Sequence, residues 1–458
     1  MEVDPKIIEK YDRPGPRYTS YPPATQFREG FTEKEYIEAV EQSNHMTPKG
    51  ISLYVHVPFC PKLCHFCGCN TQAGRDPVLI RQYFDALVIE IDRLAAHMDR
   101  DRPVTQIHWG GGTPNSVEPA LVEKIMDRFN HWFRFSGDPE IAMECNPAYL
   151  DPGDIDGLSN MGFNRISLGI QDFNESVLRI VNRTPSRLPV GELVQYIRHY
   201  TGAKVNLDFI YGLPGQTVDS YLETLSEAAS IRPDRLVTFS YAHIPWVKKN
   251  QKILENRGIP GADMKMKMLL RGYEFLTGAG YDPIGMDHFA LPGDELAEAF
   301  RERSLHRNFQ GYCTSKHTGQ VYAFGASAIS QLQHAYIQNT KDASHYIQHL
   351  GKGKLPVAKG YFLNEKEQKI RQVINQMMCN GQLELELEAA RLGMDLQDLK
   401  VLLDYSEENF AELERDGLID REGNNITATT LGMLLIRVIA RELDPGYVSY
   451  QKRFSKTI

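Results

Sequence analysis

Residues 51–245 repeat one pattern about six times, and this repetition limits the possible folds more than any other feature. Each repeat begins with a short apolar stretch typical of a buried strand and continues with a segment of helical periodicity. Strands that alternate with helices predict a parallel sheet covered by helices. Because the crossovers are right-handed, six such units would curl into a partial barrel. The predicted fold class is therefore α/β, a partial (β/α)6 barrel.

The regions on either side of this pattern predict further domains. Residues 1–50 are rich in Pro, Tyr and Arg and predict an irregular N-terminal arm. Residues 51–355 form the predicted barrel domain, in which the alternation weakens after about residue 290. Residues 356–458 are mainly helical in pattern and predict a C-terminal lid domain. A chain of 458 residues suits a large catalytic domain with a smaller appendage.

The C-terminal region ends in a hairpin-like stretch followed by a helical one, "GLIDREGNNITATTLGMLLIRVIARE". Such an order is typical of a winged helix, so DNA binding has to be considered. Residues 361–422 hold 15 Asp or Glu against 7 Lys or Arg, and the whole chain has a net charge of −8. An acidic surface repels phosphates, and we expect no nucleic-acid partner.

The location of the protein is predicted from what its sequence lacks. The N-terminal stretch "MEVDPKIIEKYDRPGP" has no apolar segment typical of a signal peptide. No apolar run reaches the ~18 residues that a membrane span needs. We expect a cytoplasmic protein without a membrane span, and a monomer is the default expectation. In a reducing compartment, clustered cysteines indicate metal or redox chemistry more often than disulfides.

Residues that could do chemistry stand at the ends of the predicted strands. In chain order they are Cys60, the segment 110–113, Glu144, Gln171, Asp208 within the fifth strand, and the segment 241–243. In βα barrels the site forms at the C-terminal ends of the strands, so these groups are expected to converge on one mouth. Glycines and polar residues also mark ordinary strand ends, and this alternative stays open for each single position.

One loop, "CPKLCHFCGCN", holds four of the seven cysteines. Cys60, Cys64 and Cys67 have the spacing C-x3-C-x2-C, and Cys69 follows. Structural zinc usually takes four protein ligands, often as two separated pairs. A second pair is missing here, although Cys69 or His65 could complete such a site. A [4Fe–4S] cluster normally has four cysteine ligands, so three would leave one iron open for catalysis.

This triplet after the first strand of a βα barrel resembles the signature of the radical S-adenosylmethionine (SAM) enzymes. Other stretches are similar to the family of oxygen-independent coproporphyrinogen III oxidases: "YVHVPFCPKLCHFCGCN", "HWGGGTP", "NRISLGIQDFN", "LDFIYGLPGQT", "YAHIP", "GMDHFALPGDELA", "LHRNFQGY" and "FSKTI". The similarity extends from "GPRYTSYP" to the last residues. It implies that Cys60, Cys64 and Cys67 hold a [4Fe–4S] cluster whose fourth iron binds SAM.

The resemblance also implies the reaction, which is the conversion of coproporphyrinogen III to protoporphyrinogen IX in heme biosynthesis. An electron from the cluster would cleave SAM to methionine and a 5′-deoxyadenosyl radical. That radical would take a hydrogen atom from the β-carbon of a substrate propionate. Loss of CO2 and one electron would leave a vinyl group, and two propionates would react in this way. The electron donor and the final acceptor leave no motif.

The cofactor residues follow from the same resemblance. The positions that match contacts to the cluster-bound SAM are Tyr54, Gly111, Glu144, Ala242 and Ile329. Those that match contacts to a second SAM are Phe66, Gly112, Thr113, Gln171, Arg183 and Asp208. Arg183 could pair with the methionine carboxylate and Asp208 with its ammonium group. Alternatively, these two residues could form a structural ion pair.

The substrate that the resemblance implies carries four propionates, so a cationic lining is expected. Arg17 and Arg307 are the candidates, although most arginines only solvate a surface. The N-terminal arm is predicted to close over the tetrapyrrole. Cys145 is interpreted as a buried strand cysteine rather than a functional one.

Two other classes of protein compete with this interpretation. A heme-binding chaperone on the same radical SAM scaffold shares the triplet and the barrel. Such relatives typically lack the G-C-N that follows the triplet and the "PRYTSYP"-type arm, and both are present here. A structural zinc protein with a winged-helix tail is the other alternative, and it would be colourless because zinc is d10.

Overall fold

The computed structural model describes residues 4–74, 76–314, 316–450 and 454. Of the C-terminal "FSKTI" stretch, only Phe454 is among the described residues. The chain forms two compact units. The sheet unit comprises the described residues of Arg28–Ile259 and Lys316–Phe362, and the terminal unit those of Met1–Phe27, Pro260–Ser315 and Leu363–Ile458. The predicted domain boundaries after residues 50 and 355 divide the chain differently and stay a prediction.

The strands are short, as expected for βα units. In chain order they are β1 (Arg28–Glu29), β2 (Ile51–Val57), β3 (Phe59–Cys60), β4 (Gln72–Ala73), β5 (Val104–Gly111), β6 (Phe135–Cys145), β7 (Arg165–Gln171), β8 (Lys204–Tyr211), β9 (Arg235–Ser240), β10 (Asp282–Ile284), β11 (His288–Ala290), β12 (Leu305–Asn308), β13 (Gly311–Thr314), β14 (Gln320–Phe324), β15 (Ile329–Gln331), β16 (Ala335–Asn339), β17 (Val357–Phe362), β18 (Gln382–Glu384), β19 (Ile419–Glu422) and β20 (Asn425–Ala428).

The α-helices are α1 (Pro5–Tyr11), α2 (Glu33–Ser43), α3 (Pro77–Ala95), α4 (Pro119–Trp132), α5 (Pro152–Asn160), α6 (Glu175–Ile180), α7 (Val190–Tyr196), α8 (Val218–Ile231), α9 (Ala262–Gly278), α10 (Glu295–Arg301), α11 (Ala343–Gly351), α12 (Glu365–Asn380), α13 (Leu385–Arg391), α14 (Leu396–Leu402), α15 (Glu407–Arg415), α16 (Thr430–Leu434) and α17 (Ile436–Arg441). Short 3-10 helices occupy Ala24–Gln26, Pro114–Ser116, Pro147–Tyr149, Lys249–Leu254 and Tyr447–Ser449, and a π-helical turn occupies Ile197–Thr201.

The sheet unit contains the six predicted parallel strands. β2, β5, β6, β7, β8 and β9 pair in this order, each parallel to the next. β14 adds a further parallel strand beside β2, which the alternation of the sequence did not predict. Beyond β14 the sheet continues through β15, β16, β17 and β1, all antiparallel. The predicted α/β class and its partial barrel are confirmed.

Large aromatic side chains fill the core between the sheet and its helices. Trp109 of β5 is fully buried and stacks on Phe84 of α3, with ring centroids 6.5 Å apart. Its other neighbour is Phe163, which approaches edge-on at 6.3 Å. Because close-packed interiors resist displacement, the C-terminal ends of these strands form a rigid support for a site.

The predicted arm contains more regular structure than its Pro-rich composition suggests. Residues 1–50 include both α1 and α2. A capping box begins α2, because the Thr32 hydroxyl accepts from the Glu35 N–H at 3.2 Å and the Glu35 carboxylate accepts from the Thr32 N–H at 2.7 Å. The arm predicted as irregular therefore includes two helices, since local capping signals prevail over composition in α2.

The terminal unit is mainly helical and includes a small antiparallel sheet. Its strands pair in the order β18-β20-β19, and the hairpin β19–β20 stands where the sequence predicted one. The helices α16 and α17 follow that hairpin, so the predicted order is present. Within the part of the chain that the structure describes, no helix is long and apolar enough to cross a membrane.

Candidate active site

The cysteine loop leaves the sheet directly after β2. A short parallel ladder between β3 and β4 closes its base, where the Gly74 N–H donates to the Cys60 carbonyl at 3.0 Å. Cys60 is buried, Cys64 and Cys67 are half-buried, and Cys69 is exposed. The exposure of the cysteines therefore increases along the loop, from the buried Cys60 to the exposed Cys69.

The number of cysteines in the loop indicates which kind of metal centre they fit. Cys60, Cys64 and Cys67 lie within one loop, and Cys69 follows two residues after Cys67. A structural zinc site usually takes four protein ligands, often as two separated pairs. Three thiolates from one loop suit a [4Fe–4S] cluster with one iron left for another ligand.

Two side chains from outside the loop donate to its sulfur atoms. The Thr113 hydroxyl lies 3.4 Å from the Sγ of Cys60, and Nη1 of Arg183 lies 3.8 Å from the Sγ of Cys64. Burial raises the pKa of Cys60 to about 11, and the hydrogen bond from Thr113 opposes this rise. The hydrogen bond with Cys69 lowers the pKa of Cys67 to about 6. Burial raises the pKa of Cys64 as well, and Arg183 opposes that rise. The donors around the loop thus offset part of the effect of burial, in favour of the thiolate that binds iron.

The glycine segment at the end of β5 packs against the base of the cysteine loop. The Gly112 N–H donates to the Val57 carbonyl at 2.7 Å. A Cβ at Gly112 would lie 2.7 Å from the Phe59 carbonyl oxygen. Gly111 has φ +109, and a Cβ there would lie 2.6 Å from the His56 ring. Close packing within the protein is therefore enough to require glycine at both positions.

The predicted SAM residue Glu144 ends β6 beside a histidine of the neighbouring strand. Its carboxylate contacts Nε2 of His108 at 3.0 Å and accepts from the Gly111 N–H at 3.2 Å. Burial alone would raise the pKa of Glu144, but His108 and this N–H hold it below its ordinary value. The pKa of His108 is raised in turn by Glu144, against the effect of burial. Tyr54 stacks on His108 with ring centroids 6.0 Å apart.

Of three residues predicted for a second SAM, Gln171 ends β7, Arg183 follows α6 and Asp208 lies within β8. A bulge after Gly169 leaves Gln171 with φ +74, a left-handed conformation that is uncommon without glycine. Arg183 donates through Nη2 to the Gly169 carbonyl. Asp208 of β8 accepts from the Ser167 hydroxyl at 2.7 Å and from the Asn206 amide at 2.8 Å. Each charge thus has its own hydrogen-bond partners within the sheet unit.

The remaining predicted cofactor residues are apolar. Phe66 packs against a buried cluster formed by Val177, Val181, Leu213, Tyr241 and Leu254. Ala242 follows the end of β9. Ile329 begins β15, after a turn in which the buried Glu90 carboxylate accepts from the Gly325 N–H at 2.8 Å. All eleven predicted SAM positions lie in the sheet unit, but only some of them share a direct contact, such as Gly111 with Glu144.

Sequence reasoning missed His56 and His108, which surround Tyr54, and three side chains that hold the cysteine loop. Lys248, Asn250 and Gln251 follow β9 and donate to backbone carbonyls of that loop. His108 faces Tyr54 because Tyr54 and His108 are register partners in neighbouring parallel strands. The predicted order of the strands could therefore have identified His108 as a neighbour of Tyr54. Nothing in the sequence pairs residues 248–251 with residues 64–69.

The two arginines predicted for the substrate lie in the terminal unit, and Arg437 joins them. Arg307 is 7% exposed, stacks on the Tyr312 ring at 4.5 Å, and buries Nε and Nη1 without a hydrogen-bond partner among the described residues. Arg437 donates to the carbonyls of Gly15 at 2.6 Å and Pro16 at 3.0 Å, just before Arg17. Burial lowers the pKa of Arg437 to about 9, and the charges of Arg17 and Arg307 add to this effect. Such a concentration of positive charge suits an anionic ligand.

One carboxylate lies among these arginines. Asp287 contacts Nδ1 of His288 at 2.7 Å. Burial opposes its ionisation, yet His288, Arg307 and Arg17 hold the pKa of Asp287 below its ordinary value. The charge of Asp287 is thus stabilised by the positive charges of Arg17 and Arg307. We call Arg17, Arg307 and Arg437 the arginine cluster.

Comparisons with known proteins agree with this geometry. The model of the radical SAM superfamily matches residues 54–228. The chain is 39% identical over 466 residues to the oxygen-independent coproporphyrinogen III oxidase of Synechocystis sp., which covers 100% of this chain and 98% of that protein. It is 40% identical over 449 residues to the Escherichia coli protein of the same name, covering 97% and 95%. A solved structure of the Escherichia coli coproporphyrinogen III oxidase, described as a radical SAM enzyme, matches with a TM-score of 0.89 and 37% identity over 97% of this chain and 99% of that one.

Proposed function

We propose the function of this chain from one premise: it belongs to the family of the oxygen-independent coproporphyrinogen III oxidases, within the radical SAM superfamily. It converts two propionate side chains of coproporphyrinogen III to vinyl groups without oxygen, which gives protoporphyrinogen IX. Each propionate gives up a hydrogen atom from its β-carbon, then CO2 and one electron. The observation that carries this function is the similarity to relatives of that name over the full length of the chain.

The protein uses a [4Fe–4S] cluster and SAM, as its superfamily implies. When bound, these two groups supply the radical that removes the hydrogen atom from the substrate. We propose Cys60, Cys64 and Cys67 as the cluster ligands, because their thiols share the one loop that follows β2 and three thiolates leave one iron free for SAM. Thr113 and Arg183 donate to two of these sulfur atoms and would stabilise the thiolates.

For the SAM bound to the cluster we propose contacts from Tyr54, Gly111, Glu144, Ala242 and Ile329. Glu144 supports this role, because its carboxylate is held ionised by His108 while 45% of its side chain stays exposed. An ionised, accessible carboxylate can accept hydrogen bonds from an ammonium group or from ribose hydroxyls. Tyr54 keeps His108 in place by stacking.

For a second SAM we propose Phe66, Gly112, Thr113, Gln171, Arg183 and Asp208. The alternative of a structural Arg183–Asp208 pair is less attractive, since the Gly169 carbonyl and Ser167 already serve as partners of these two charges. Thr113 and Arg183 contact cysteine sulfur atoms instead. These contacts allow a second role for both residues, next to the cluster.

We propose that the arginine cluster binds propionate groups of the substrate. A carboxylate would supply the acceptors that Nε and Nη1 of Arg307 lack among the described residues. It would also reduce the repulsion among the three cations, of which Arg307 and Arg437 are buried and Arg17 is exposed. Deletion of residues 1–25 is a poor test of the arm, because it would remove Tyr11, Tyr18 and Tyr21 from the core of the terminal unit. Substitution of Arg17 leaves that core intact.

An anaerobic assay tests the proposed function. The reconstituted protein is incubated with SAM, a chemical reductant and coproporphyrinogen III, and the products are oxidised and separated. Protoporphyrin, CO2 and 5′-deoxyadenosine are expected. Stable heme binding without any of these products would instead indicate the heme-binding chaperone. The cytoplasmic location, the monomeric state and the external electron donor and acceptor stay predictions.

A further inference from the structure

The segment after β9 holds the cysteine loop through its backbone. Nδ2 of Asn250 lies 3.2 Å from each of three carbonyl oxygens, those of Cys64, His65 and Cys67. The Gln251 amide donates to the Phe66 carbonyl at 2.8 Å, so every carbonyl from residue 64 to residue 67 faces a side-chain donor. Lys248 adds a contact of 2.6 Å with the Cys69 carbonyl. We call Lys248, Asn250 and Gln251 the loop clamp.

The clamp is itself fixed to the sheet unit. Gln251 is 1% exposed, and its Oε1 accepts the Ile244 N–H at 2.6 Å. Leu254, four residues after Asn250, is fully buried beside Tyr241 in the cluster against which Phe66 packs. The loop clamp thus joins the metal-binding loop to the core rather than to solvent.

Carbonyl oxygens that converge on one point repel each other unless a donor stands between them. Asn250 supplies that donor for three of the four carbonyls. An aspartate has almost the same shape but would place a carboxylate oxygen against the same three carbonyls. The chemistry of the position therefore requires an amide and excludes its isosteric acid.

We propose that Asn250, with Gln251, is a positioning residue for the iron–sulfur cluster. It holds the turn from Cys64 to Cys67 in the conformation in which these thiolates and that of Cys60 face one cluster. This inference rests on the proposed function only through the cluster, since it concerns how the cluster is held and not what the enzyme converts.

Two substitutions and one control test this inference. Asn250→Ala removes the donor without adding repulsion, and Asn250→Asp adds repulsion at constant shape. Lys249→Ala is the control, because Lys249 is the exposed neighbour of Asn250 in the same short helix. Outer contacts of metal ligands typically change metal affinity by about 10–100-fold when they are removed.

The measurements are made on the full-length protein after anaerobic reconstitution. For Asn250→Ala we expect iron loss to a chelator to be about 10-fold faster than in the wild type. For Asn250→Asp we expect faster loss still. The electron paramagnetic resonance spectrum of the reduced cluster should broaden, and its change on addition of SAM should be reduced. Lys249→Ala should match the wild type in each of these measurements.

The melting temperature of the iron-free protein separates positioning from general stability. An unchanged melting temperature in Asn250→Ala together with faster iron loss supports the inference. Iron loss at the wild-type rate overturns it, and so does a lowered melting temperature of the iron-free variant, which would make Asn250 an ordinary structural residue. A wild-type protein that assembles its cluster but does not convert coproporphyrinogen would refute the proposed function alone.

Discussion

The cofactor residues of the sheet unit and the arginine cluster of the terminal unit are built in opposite ways. Several cofactor residues, such as Gly111, Glu144 and Gln171, lie near the ends of parallel strands, and the charge of Glu144 has a partner close by in His108. The arginine cluster joins residues 17, 307 and 437, which are distant in sequence, and Arg307 buries two donor atoms without partners among the described residues. The charge of Glu144 at the first site has a partner within the protein, whereas Arg307 of the second site buries two donor atoms that an anion would satisfy.

This contrast suggests a division of labour. A cofactor site that must hold reactive groups in fixed positions benefits from partners that are already in place. A substrate site that must capture and release several carboxylates benefits from unsatisfied charge, because the ligand itself supplies the missing acceptors. Substitutions in the sheet unit should therefore affect the cluster or SAM, and those in the arginine cluster should affect the tetrapyrrole.

The largest effect is expected for the cluster ligands. Cys64→Ser should abolish the visible absorbance of the iron–sulfur cluster together with all turnover, because a hydroxyl is a much poorer iron ligand than a thiolate. Cys145→Ser is the control, since Cys145 is a buried strand cysteine beside the site. We expect it to keep both cluster and turnover. A brown, active Cys64→Ser protein would remove Cys64 from the ligand set.

The same contrast explains how much could be predicted from the sequence. The cysteine loop and the ends of β2 to β9 were predictable, because spacing within a loop and the period of strands are local signals. β14 was not, since its parallel partner β2 lies far away in sequence. Arg437 and Asn250 were missed for the same reason. Each acts through a fold that brings remote segments together, and neither stands in a local pattern.

A second prediction concerns the pH dependence of stability in the sheet unit. Glu90 is fully buried, and burial raises its pKa from 4.5 to about 7, although the contacts with Tyr346, Gly325 and Asn339 oppose the rise. The folded state therefore holds this proton more tightly than the unfolded state. The resulting stabilisation is fully present below pH 4.5 and is lost as the pH rises through 7. It amounts to about 3 kcal/mol.

Glu90→Gln is the variant that isolates this contribution. The free energy of unfolding is measured in urea at pH values from 5 to 8. In the wild type, the ionisation of Glu90 should make this free energy fall as the pH rises, and in the variant this contribution should be absent. Because the Glu90 carboxylate holds the turn before Ile329, we also expect the variant to bind SAM more weakly. Parallel pH curves for the two proteins would show that Glu90 has an ordinary pKa in the folded state.

A third prediction tests the arginine cluster. Arg307→Met keeps the apolar stem that packs on Tyr312 but removes the charge. We expect the KM for coproporphyrinogen III to rise about 10–100-fold, as for the loss of a hydrogen bond between charged groups. The cluster absorbance and the affinity for SAM should stay unchanged. Arg303→Ala is the control, because Arg303 forms an exposed ion pair with Glu384.

Equal KM values for Arg307→Met and Arg303→Ala would contradict a substrate role of the arginine cluster. Arg17→Ala provides a second test of the same role. It should raise the same KM, because Arg17 and Arg307 both act on the pKa of Asp287 and Arg17 acts on that of Arg437. A change in SAM affinity instead would place these arginines with the cofactors.

The smallest effect is expected for Glu144→Gln at the cofactor site. The amide keeps the size of the side chain but loses the charge that His108 balances, and only one of its two terminal atoms can accept. We expect the KM for SAM to rise about 10-fold, the cost of one weakened charged contact, while the KM for coproporphyrinogen III stays constant. Asp138→Asn is the matched control, since Asp138 is an exposed carboxylate of the same strand. If the two variants bound SAM equally well, Glu144 would serve only to fix His108 and Gly111, and the accessible carboxylate of the site would have to be sought at Asp208.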